Sequence, residues 1–404
     1  FEVRAIHHLL AAKTNDHKGY YTVASFDALA QAAHQLVARQ YDIYNQVLMP
    51  ALARHQIKVI SHGQRNAQQR RWVKDYFESE VRPLLIPVSL DPAHPFPQVA
   101  NKSLNFIVRL SGRNAFGRTN EIAIVKVPRL LPRLIRIPNK RASREATFVS
   151  LSSVIRSHLE DLFPERGVSE FSHFRITRHS ELAVDDDDTK NLRTVLRQGL
   201  QHRNYGQAVR LEVSAGCSTY LKNFLLQQFD LPEAACYPVH GPVNLVRFSQ
   251  LADMVDAPQL LFKPYQPRWP VDLTPPAGSF FDRLKQGDVL IHQPYESFDA
   301  VMAFLHEAVY DPNVLAIRQT IYRTGTDPTL LNLLREAVRR GKEVTVVVEL
   351  KARFDEETNI HSAEMLEAIG AQVLYGVVGL KTHAKMLLVT RREGKDLRRY
   401  VHLS

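Results

Sequence analysis

The sequence predicts a multidomain protein with a helical segment over residues 1–92, an α+β domain over 93–267 and an α/β domain over 268–404. Length is the first observation, because 404 residues exceed the ~150 residues typical of one domain. The spacing of apolar residues is the second, since it is helical near the start and changes beyond the proline-rich stretch 91–97. The third is a regular alternation of strand-like and helical patterns after residue 268.

Composition and charge restrict the class of protein. A hydrophobic fraction of 45% and a charged fraction of 23% exclude a disordered, collagen-like or fibrous chain. The apolar runs are far shorter than the ~20 residues of a membrane helix. Two cysteines, Cys217 and Cys236, cannot form a disulfide scaffold, which favours a reduced cytoplasmic setting. The net charge of +10 predicts an anionic partner, and leaves open nucleic acid, an acidic membrane face or a polyanion.

The first segment has helical spacing of apolar residues over 26–49 and over 64–81. Pro50 ends or kinks the first of these helices, because a proline has no backbone N–H to donate. We expect these helices to pack into a bundle.

The middle region mixes strand-like and helical patterns. Strands are predicted over 104–110, 121–127 and 209–213, and helices over 150–162, 189–200 and 218–229. Residues 109–144 also carry ten Lys or Arg and one acid, Glu121. Such a run is either a solvated face or a surface that holds a polyanion, and the sequence leaves both open.

The last region alternates strands with helices. Strands are predicted over 289–292, 314–321, 344–350, 372–375 and 383–390, and helices over 298–308, 328–340 and 358–369. Gly341 and Gly370 follow two of the helices, where a left-handed C-cap is common. Valine-rich strands of this kind predict a mostly parallel sheet that is buried on both faces.

Two arginines follow neighbouring strands of this sheet. Arg323 comes after strand 314–321 and Arg353 after strand 344–350, about one βαβ unit apart. Ligands of parallel sheets bind beyond the carboxyl ends of the strands, so we expect both side chains at one edge. Paired guanidinium groups suit phosphate, because each binds two oxygens and stays charged. The alternative is that each arginine pairs with a nearby acid.

His383 and Lys385 form the third element of this predicted site. Within a strand, residues two apart share one face, so the imidazole and the ammonium group are predicted to lie side by side. The lysine can hold a phosphoryl oxygen while an imidazole nitrogen attacks phosphorus. A histidine in a strand is more often structural, and the two arginines strengthen the chemical interpretation. The sequence contains no P-loop, GxGxxG, HExxH or paired CxxC motif.

Several segments resemble the polyphosphate kinase family, in its histidine-phosphorylated form. They occur in family order and span essentially the whole chain: 100–106 (ANKSLNF), 241–245 (GPVNL), 287–298 (GDVLIHQPYESF), 317–323 (IRQTIYR), 346–357 (VVVELKARFDEE), 379–385 (GLKTHAK) and 398–404 (RRYVHLS). The resemblance implies that 1–92 is a truncated helical N-terminal domain, 93–267 the α+β head domain, and 268–404 the first phospholipase-D-like α/β catalytic domain, also truncated.

The resemblance also implies an activity and the residues that perform it. The family moves the terminal phosphate of ATP reversibly onto inorganic polyphosphate. His383 matches the histidine that becomes phosphorylated, and Lys385 the lysine of the His-x-Lys motif. Arg323 and Arg353 match the arginines of the phosphate and Mg²⁺ site, whose direct metal ligands are unknown. Because a guanidinium has no lone pair to offer a metal, we expect these arginines to hold the phosphates that Mg²⁺ bridges.

Partners and location follow from the same resemblance. It implies Mg²⁺ as cofactor, ATP and ADP as nucleotides, inorganic polyphosphate as the polyanion, a homo-oligomer, and no specific nucleic acid. The expected location is the cytoplasm, with peripheral membrane association left open. The chain begins at Phe1 and stops at Ser404 within a strand-like run, so we expect a fragment of a longer protein. An adenine-contacting asparagine and a second catalytic domain are expected outside it, and residues 1–404 alone are expected to be inactive or weak.

Two other functions compete with this one. A phospholipase-D-like phosphodiesterase or nuclease shares the His-x-Lys pair, but its motif continues with an aspartate where this chain has Thr390. A non-catalytic nucleic-acid-binding protein would explain the charge but not the two arginines at strand ends.

Overall fold

The computed structural model describes residues 23–90, 96–113, 121–139, 145–164, 166–179, 206–273, 278–322, 328–350, 356–376 and 381–404. The chain divides into two compact units. Unit 1 comprises Phe1–Glu181 and His202–Phe262, and unit 2 comprises Leu182–Gln201 and Lys263–Ser404. The predicted helix over 189–200 lies outside the described residues.

The described α-helices and β-strands are numbered in chain order. The helices are α1 Val23–Asp42, α2 Met49–Arg54, α3 Ala67–Tyr76, α4 Leu151–Ser157, α5 Thr219–Gln228, α6 Gln250–Met254, α7 Phe280–Gln286, α8 Asp299–Tyr310, α9 Thr329–Arg339 and α10 Glu356–Ala368. The strands are β1 Ile57–Val59, β2 Pro87–Ser89, β3 Leu104–Ser111, β4 Ile122–Lys126, β5 Leu134–Arg136, β6 Ala146–Ser150, β7 Gly167–Arg178, β8 Ala208–Ser214, β9 Cys236–Val239, β10 Val314–Ile321, β11 Glu343–Val348, β12 Gln372–Tyr375, β13 Met386–Glu393 and β14 Asp396–Leu403.

Unit 1 is organised around a six-stranded sheet of described strands in the order β2-β4-β3-β7-β8-β9, with a smaller sheet β1-β6-β5. Strand β3 shows why the larger sheet is covered on both faces. Phe106 and Val108 belong to one buried cluster, whereas Ile107 between them belongs to the other. Successive side chains of a strand point to opposite faces, so an uninterrupted apolar strand needs cover on each side. Helix α5 supplies residues to one cluster and helix α4 to the other.

The helices predicted near the start are present but less regular than expected. Helix α1 passes into π-helical residues Ile43–Leu48 before Pro50 falls in the first turn of α2. Helix α3 likewise continues as π-helical Phe77–Val81. The short strand β1 pairs in parallel with β6, so residues 1–92 also contribute to a sheet. The twelve-residue strand β7, which the sequence analysis did not predict, pairs with both β3 and β8.

Unit 2 contains a five-stranded sheet of described strands in the order β12-β11-β10-β13-β14. Strands β10, β11 and β12 are parallel, as predicted. Strands β13 and β14 run antiparallel to their neighbours, so the sheet is mixed rather than mostly parallel. Gly394, with a φ of 63°, allows the tight hairpin that joins β13 to β14.

Most predicted elements of unit 2 are confirmed within a few residues, and Gly341 and Gly370 adopt positive φ values of 76° and 94° after their helices. Residues 289–292 are the exception, because they join no strand ladder among the described residues. Leu290 is 88% exposed there, and the His292 amide donates instead to the Glu296 carboxylate at 2.9 Å. The apolar run therefore predicted a strand where the described residues supply no pairing partner.

The long basic stretch of unit 1 is not uniformly solvated. Arg109 pairs with Glu170 at 3.1 Å, and Arg133 is buried, where desolvation lowers its pKa to about 10. Within the described ranges, no helix is both long and apolar enough to cross a membrane.

Replacement of Phe281 by Ala should destabilise unit 2. The Phe281 ring is fully buried and packs against the rings of Phe304 and Tyr400, with centroids 5.7 and 4.9 Å away. Truncation removes these contacts and leaves a cavity, so we expect a loss of about 3–5 kcal/mol in the free energy of unfolding. Chemical denaturation followed by circular dichroism measures it. Leu397→Ala, at a 61% exposed position, is the control, and an equal loss there would contradict the packing account.

Candidate functional site

The pairing of three strands creates one edge of the sheet in unit 2 where chain segments converge. Ile321, the last residue of β10, is paired with Val348, the last residue of β11. Strand β13 runs antiparallel to β10 and begins beside its end, with Leu387 opposite Gln319. The segment that precedes β13 therefore lies at the edge where β10 and β11 finish. This edge is where ligands of α/β sheets bind.

The four predicted site residues have different outcomes. His383 and Lys385 both belong to the segment before β13 and line one cavity at this edge. Strand β13 begins at Met386, so the prediction that His383 lies within the strand is wrong. Lys385 still continues the ladder, because its backbone exchanges hydrogen bonds with Ser404 at 3.3 and 3.0 Å. Arg323 and Arg353 lie outside the described residues.

The backbone around His383 is held on both sides, by a side chain that follows β11 and by one within β10. The Thr382 amide donates to the Glu349 carboxylate at 2.6 Å. The Thr320 hydroxyl donates to the Ala384 carbonyl at 2.7 Å and accepts from the Met386 amide at 2.8 Å. A segment outside the strand ladder thereby gains fixed hydrogen-bond partners.

Tyr322 packs against both His383 and Lys385. Its ring meets the imidazole edge to face, with centroids 4.9 Å apart and planes at 75°. The Lys385 ammonium lies 4.5 Å from the centre of the same ring and donates to the His383 carbonyl at 2.6 Å. Such a contact between a cation and an aromatic face is attractive. The tyrosine ring therefore places an exposed imidazole and a fixed cation next to each other.

Asn359 of helix α10 joins the ends of β10 and β11. Its side-chain amide donates to the carbonyls of Tyr322 and Glu349, each at 2.9 Å. Asn359 is fully buried and Glu349 is only 3% exposed. Buried carbonyls need hydrogen-bond donors, and this one side chain serves two of them. The chain segments that follow β10 and β11, at Tyr322 and Glu349, are therefore linked beneath the site by one side chain.

The cavity beside His383 has a volume of about 610 Å³ and a mixed lining. Its apolar wall comes from α8, through residues such as Val301, Met302 and Leu305. His402 of β14 lies in the cavity wall, and its buried Nε2 has no hydrogen-bond partner within the part of the chain that the structure describes. Burial lowers the pKa of His402 below its ordinary value. The edge of the cavity at His383 and Lys385 is polar and open to solvent.

The same part of the chain offers few ligands for a metal ion. Among the residues that the structure describes, no three His, Cys, Asp or Glu side chains are grouped to hold a metal ion. The described lining of the cavity beside His383 offers one carboxylate, that of Asp299, together with the Gln319 amide, an ammonium, two imidazoles and hydroxyl groups, so it provides a single anionic side chain for an ion that prefers carboxylate and other anionic oxygens.

Sequence reasoning missed four contributors to the site: Thr320, Tyr322, Glu349 and Asn359. The first three lie in segments 317–323 and 346–357, whose motifs pointed to the right edge of the sheet. Asn359 had a weaker signal, a polar residue on the buried face of a helix. Such a residue needs a partner, but the sequence cannot say which one.

Comparison with known proteins places this chain in one family. Residues 68–251 match the family profile described as the polyphosphate kinase middle domain. Residues 279–404 match the profile described as polyphosphate kinase C-terminal domain 1. The second match includes His383, Lys385 and both predicted arginines.

Curated relatives agree with these profiles. The chain is 50% identical to a polyphosphate kinase of Xylella fastidiosa over 379 residues, which cover 93% of this chain and 54% of the relative. It is 50% identical to a polyphosphate kinase of Burkholderia lata over 383 residues, which cover 94% of this chain and 56% of the relative. The chain thus spans about half the length of the curated relatives that it matches.

A solved structure shares the fold. The crystal structure of polyphosphate kinase from Porphyromonas gingivalis matches with a TM-score of 0.75 at 23% identity, covering 98% of this chain and 57% of that one. At this level of identity the likeness concerns the fold alone.

Replacement of Asn359 by Leu should destabilise the site and unit 2 together. The substitution leaves the buried carbonyls of Tyr322 and Glu349 without this donor, so we expect a loss of about 2–4 kcal/mol in the free energy of unfolding. Denaturant titration measures the loss. Asn332→Leu, at an exposed position on α9, should change stability by less than about 0.5 kcal/mol. Equal effects of the two substitutions would show that the Asn359 bridge contributes nothing.

Proposed function

Because this chain belongs to the polyphosphate kinase family, we propose that the protein containing it transfers the γ-phosphate of ATP reversibly to inorganic polyphosphate through phosphorylated His383. One observation supports the proposal most directly. The exposed imidazole of His383 lies at the edge where β10 and β11 end, the peptide groups on both sides of His383 are hydrogen-bonded, and the Lys385 ammonium group is held nearby. A phosphoryl acceptor needs this combination of access, fixed position and neighbouring positive charge.

The proposed reaction has two phosphoryl transfers. An unprotonated imidazole nitrogen of His383 attacks the γ-phosphorus; the P–N bond forms as the bond to the bridging oxygen breaks, and ADP leaves. The terminal oxygen of a polyphosphate chain then attacks the same phosphorus, the P–N bond breaks, and the imidazole is regenerated. The two steps exchange one phosphoryl bond for another, so the sequence can run in both directions.

Lys385 is proposed to stabilise charge on the phosphoryl group during each transfer. Its ammonium is held beside His383 by the Tyr322 ring and by the His383 carbonyl. A cation that is already in place needs no reorganisation when charge spreads over the equatorial oxygens. Arg323 and Arg353 are proposed to bind the phosphates of ATP, since they follow the described ends of β10 and β11 in the sequence.

Mg²⁺ enters this proposal as part of the MgATP substrate. The described residues do not form a metal site, so the phosphate oxygens are proposed as the main ligands of the ion. Bound in this way, Mg²⁺ neutralises charge on the phosphates, while the side chains of this chain orient the nucleotide and receive the phosphoryl group.

The organisation of the whole protein is also proposed. The boundaries 1–92, 93–267 and 268–404 remain our proposal for an N-terminal, a head and a first catalytic domain, and a homo-oligomer in the cytoplasm is proposed as its working form. The chain covers 54% of a curated relative, so full activity is expected of a longer chain that includes it.

Substitution of His383 by Ala should abolish phosphorylation of the full-length protein. We expect γ-labelled ATP to give an acid-labile, base-stable label on the wild type and none above background on His383→Ala, because the accepting nitrogen is lost. His306→Ala is the control, since His306 is exposed on α8 and outside the cavity lining. Retention of the label after His383→Ala would refute the assignment.

Removal of either proposed arginine should slow the transfer. Arg323→Met or Arg353→Met removes a donor to the phosphate oxygens, and loss of one such donor costs about 10²–10³ in rate. Rapid-quench measurement of histidine phosphorylation at saturating MgATP tests this. Arg318→Met, on β10 but paired with Glu343 at 3.9 Å, should remain within about threefold of the wild-type rate. Unchanged phosphorylation rates in both arginine variants would show that Arg323 and Arg353 do not bind the phosphates of ATP.

A further inference from the structure

We propose that Thr320 and Glu349 are positioning residues for His383, and that they act through the peptide groups on either side of it. This inference rests on the proposed function and names how the phosphorylated histidine is held. We call the side chains of Thr320 and Glu349 the clamp. Neither residue touches the imidazole in the structure's hydrogen bonds, so their role is one of geometry rather than direct chemistry.

The need for a clamp follows from where His383 lies in the chain. The residue precedes β13, and among the described residues its own amide donates to the Lys381 carbonyl alone, at 2.9 Å. That is a local contact within the segment, which does not fix the segment to the sheet. A residue in a ladder is placed by its neighbouring strand, whereas His383 must be placed by other groups.

Glu349 provides the first half of the clamp. It follows β11 directly, and its amide continues the ladder by bonding to the Ile321 carbonyl at 2.9 Å. Its carboxylate then accepts the amide of Thr382 at 2.6 Å. A charged acceptor makes a stronger and shorter bond than a neutral one, and at 3% exposure little water competes for it. The peptide before His383 is thereby tied to the end of β11.

Thr320 provides the second half. Its hydroxyl donates to the Ala384 carbonyl and accepts from the Met386 amide, so one side chain uses both of its hydrogen-bonding roles on the segment after His383. Thr320 belongs to β10, the central strand of the described sheet. The peptide after His383 is thereby tied to β10, and the imidazole sits between two fixed points.

This arrangement predicts a particular kinetic effect. Attack on phosphorus requires the nitrogen to lie near 3–3.5 Å from it and in line with the leaving oxygen, and a displacement of about 1 Å costs about 10²-fold in rate. Release of the clamp should therefore slow phosphorylation of His383. ATP binding should change little, because the phosphate-binding groups are other side chains.

The experiment uses the full-length protein and a matched set of substitutions. Thr320→Val removes the hydroxyl and keeps the shape, whereas Thr320→Ser keeps the hydroxyl. Glu349→Leu removes the acceptor of the Thr382 amide. The controls are Thr345→Val on β11 and Glu307→Leu on α8. Thr345 bonds to Gln372 at 3.3 Å, and Glu307 accepts the Phe280 amide at 2.9 Å.

Two quantities are measured for each variant: the single-turnover rate of His383 phosphorylation and the apparent KM for MgATP. We expect Thr320→Val and Glu349→Leu to lower the rate by about 10–100-fold with KM within about twofold. Thr320→Ser should recover most of the rate, and the two controls should match the wild type. A thermal melt of each variant identifies any that fail to fold. If Glu349→Leu fails to fold, the comparison of the phosphorylation rates of Thr320→Val and Thr320→Ser decides whether the clamp positions His383.

Three outcomes would overturn the clamp. The first is an equal phosphorylation rate for Thr320→Val and Thr345→Val. The second is failure of Thr320→Ser to recover the rate. The third is a change in KM for MgATP with an unchanged rate, which would make Thr320 a substrate-binding residue. Absence of label on wild-type His383 would instead overturn the proposed function, and the positioning role with it. Label on the wild type with no effect of the variants would overturn the clamp alone.

Discussion

The position of β10 between β11 and β13 is the constraint on which the site depends. Parallel pairing with β11 brings the ends of two strands together, and antiparallel pairing with β13 brings the start of a third strand to the same edge. Residues from three distant parts of the sequence meet there only because of this order. A purely parallel arrangement would send the start of β13, and His383 with it, to the opposite edge of the sheet.

The second feature of the site is the use of buried polar groups to fix exposed ones. Glu349 and Asn359 are almost completely buried, and a buried carboxylate or amide is costly unless its hydrogen bonds are made. Here the Asn359 Nδ2 donates to backbone carbonyls at the strand ends and the Glu349 carboxylate accepts the amide beside His383, whereas the buried Asn359 Oδ1 has no hydrogen-bond partner among the described residues. The stability of the sheet edge beneath the site and the position of the exposed His383 imidazole therefore depend on the same interactions. Mutation of Glu349 or Asn359 should therefore affect both the stability of this edge and the position of the imidazole. In this way a structural residue acquires a functional role.

Sequence alone predicted the elements of unit 2 well and their contacts less well. Strand β10 and helices α8, α9 and α10 were identified because apolar strand-like runs alternate regularly with helical stretches along this part of the chain. The start of β13 was misplaced, because a run of alternating residues does not show where a ladder ends. The bonds made by Thr320 and Asn359 are tertiary contacts that no local pattern contains. The spacing of His383 and Lys385 pointed to a segment that the structure places at the sheet edge, whereas the roles of these two residues and of Arg323 and Arg353 stay predictions.

The most direct test of the account is to locate the phosphoryl group itself. The full-length protein is incubated with MgATP, digested under non-acidic conditions and mapped by mass spectrometry with a fragmentation method that preserves P–N bonds. The account predicts a phosphoryl group on the imidazole of His383, which disappears when ADP or polyphosphate is added to the phosphorylated protein. A phosphoryl group on another residue with none on His383, or one on His383 that neither acceptor removes, would contradict it.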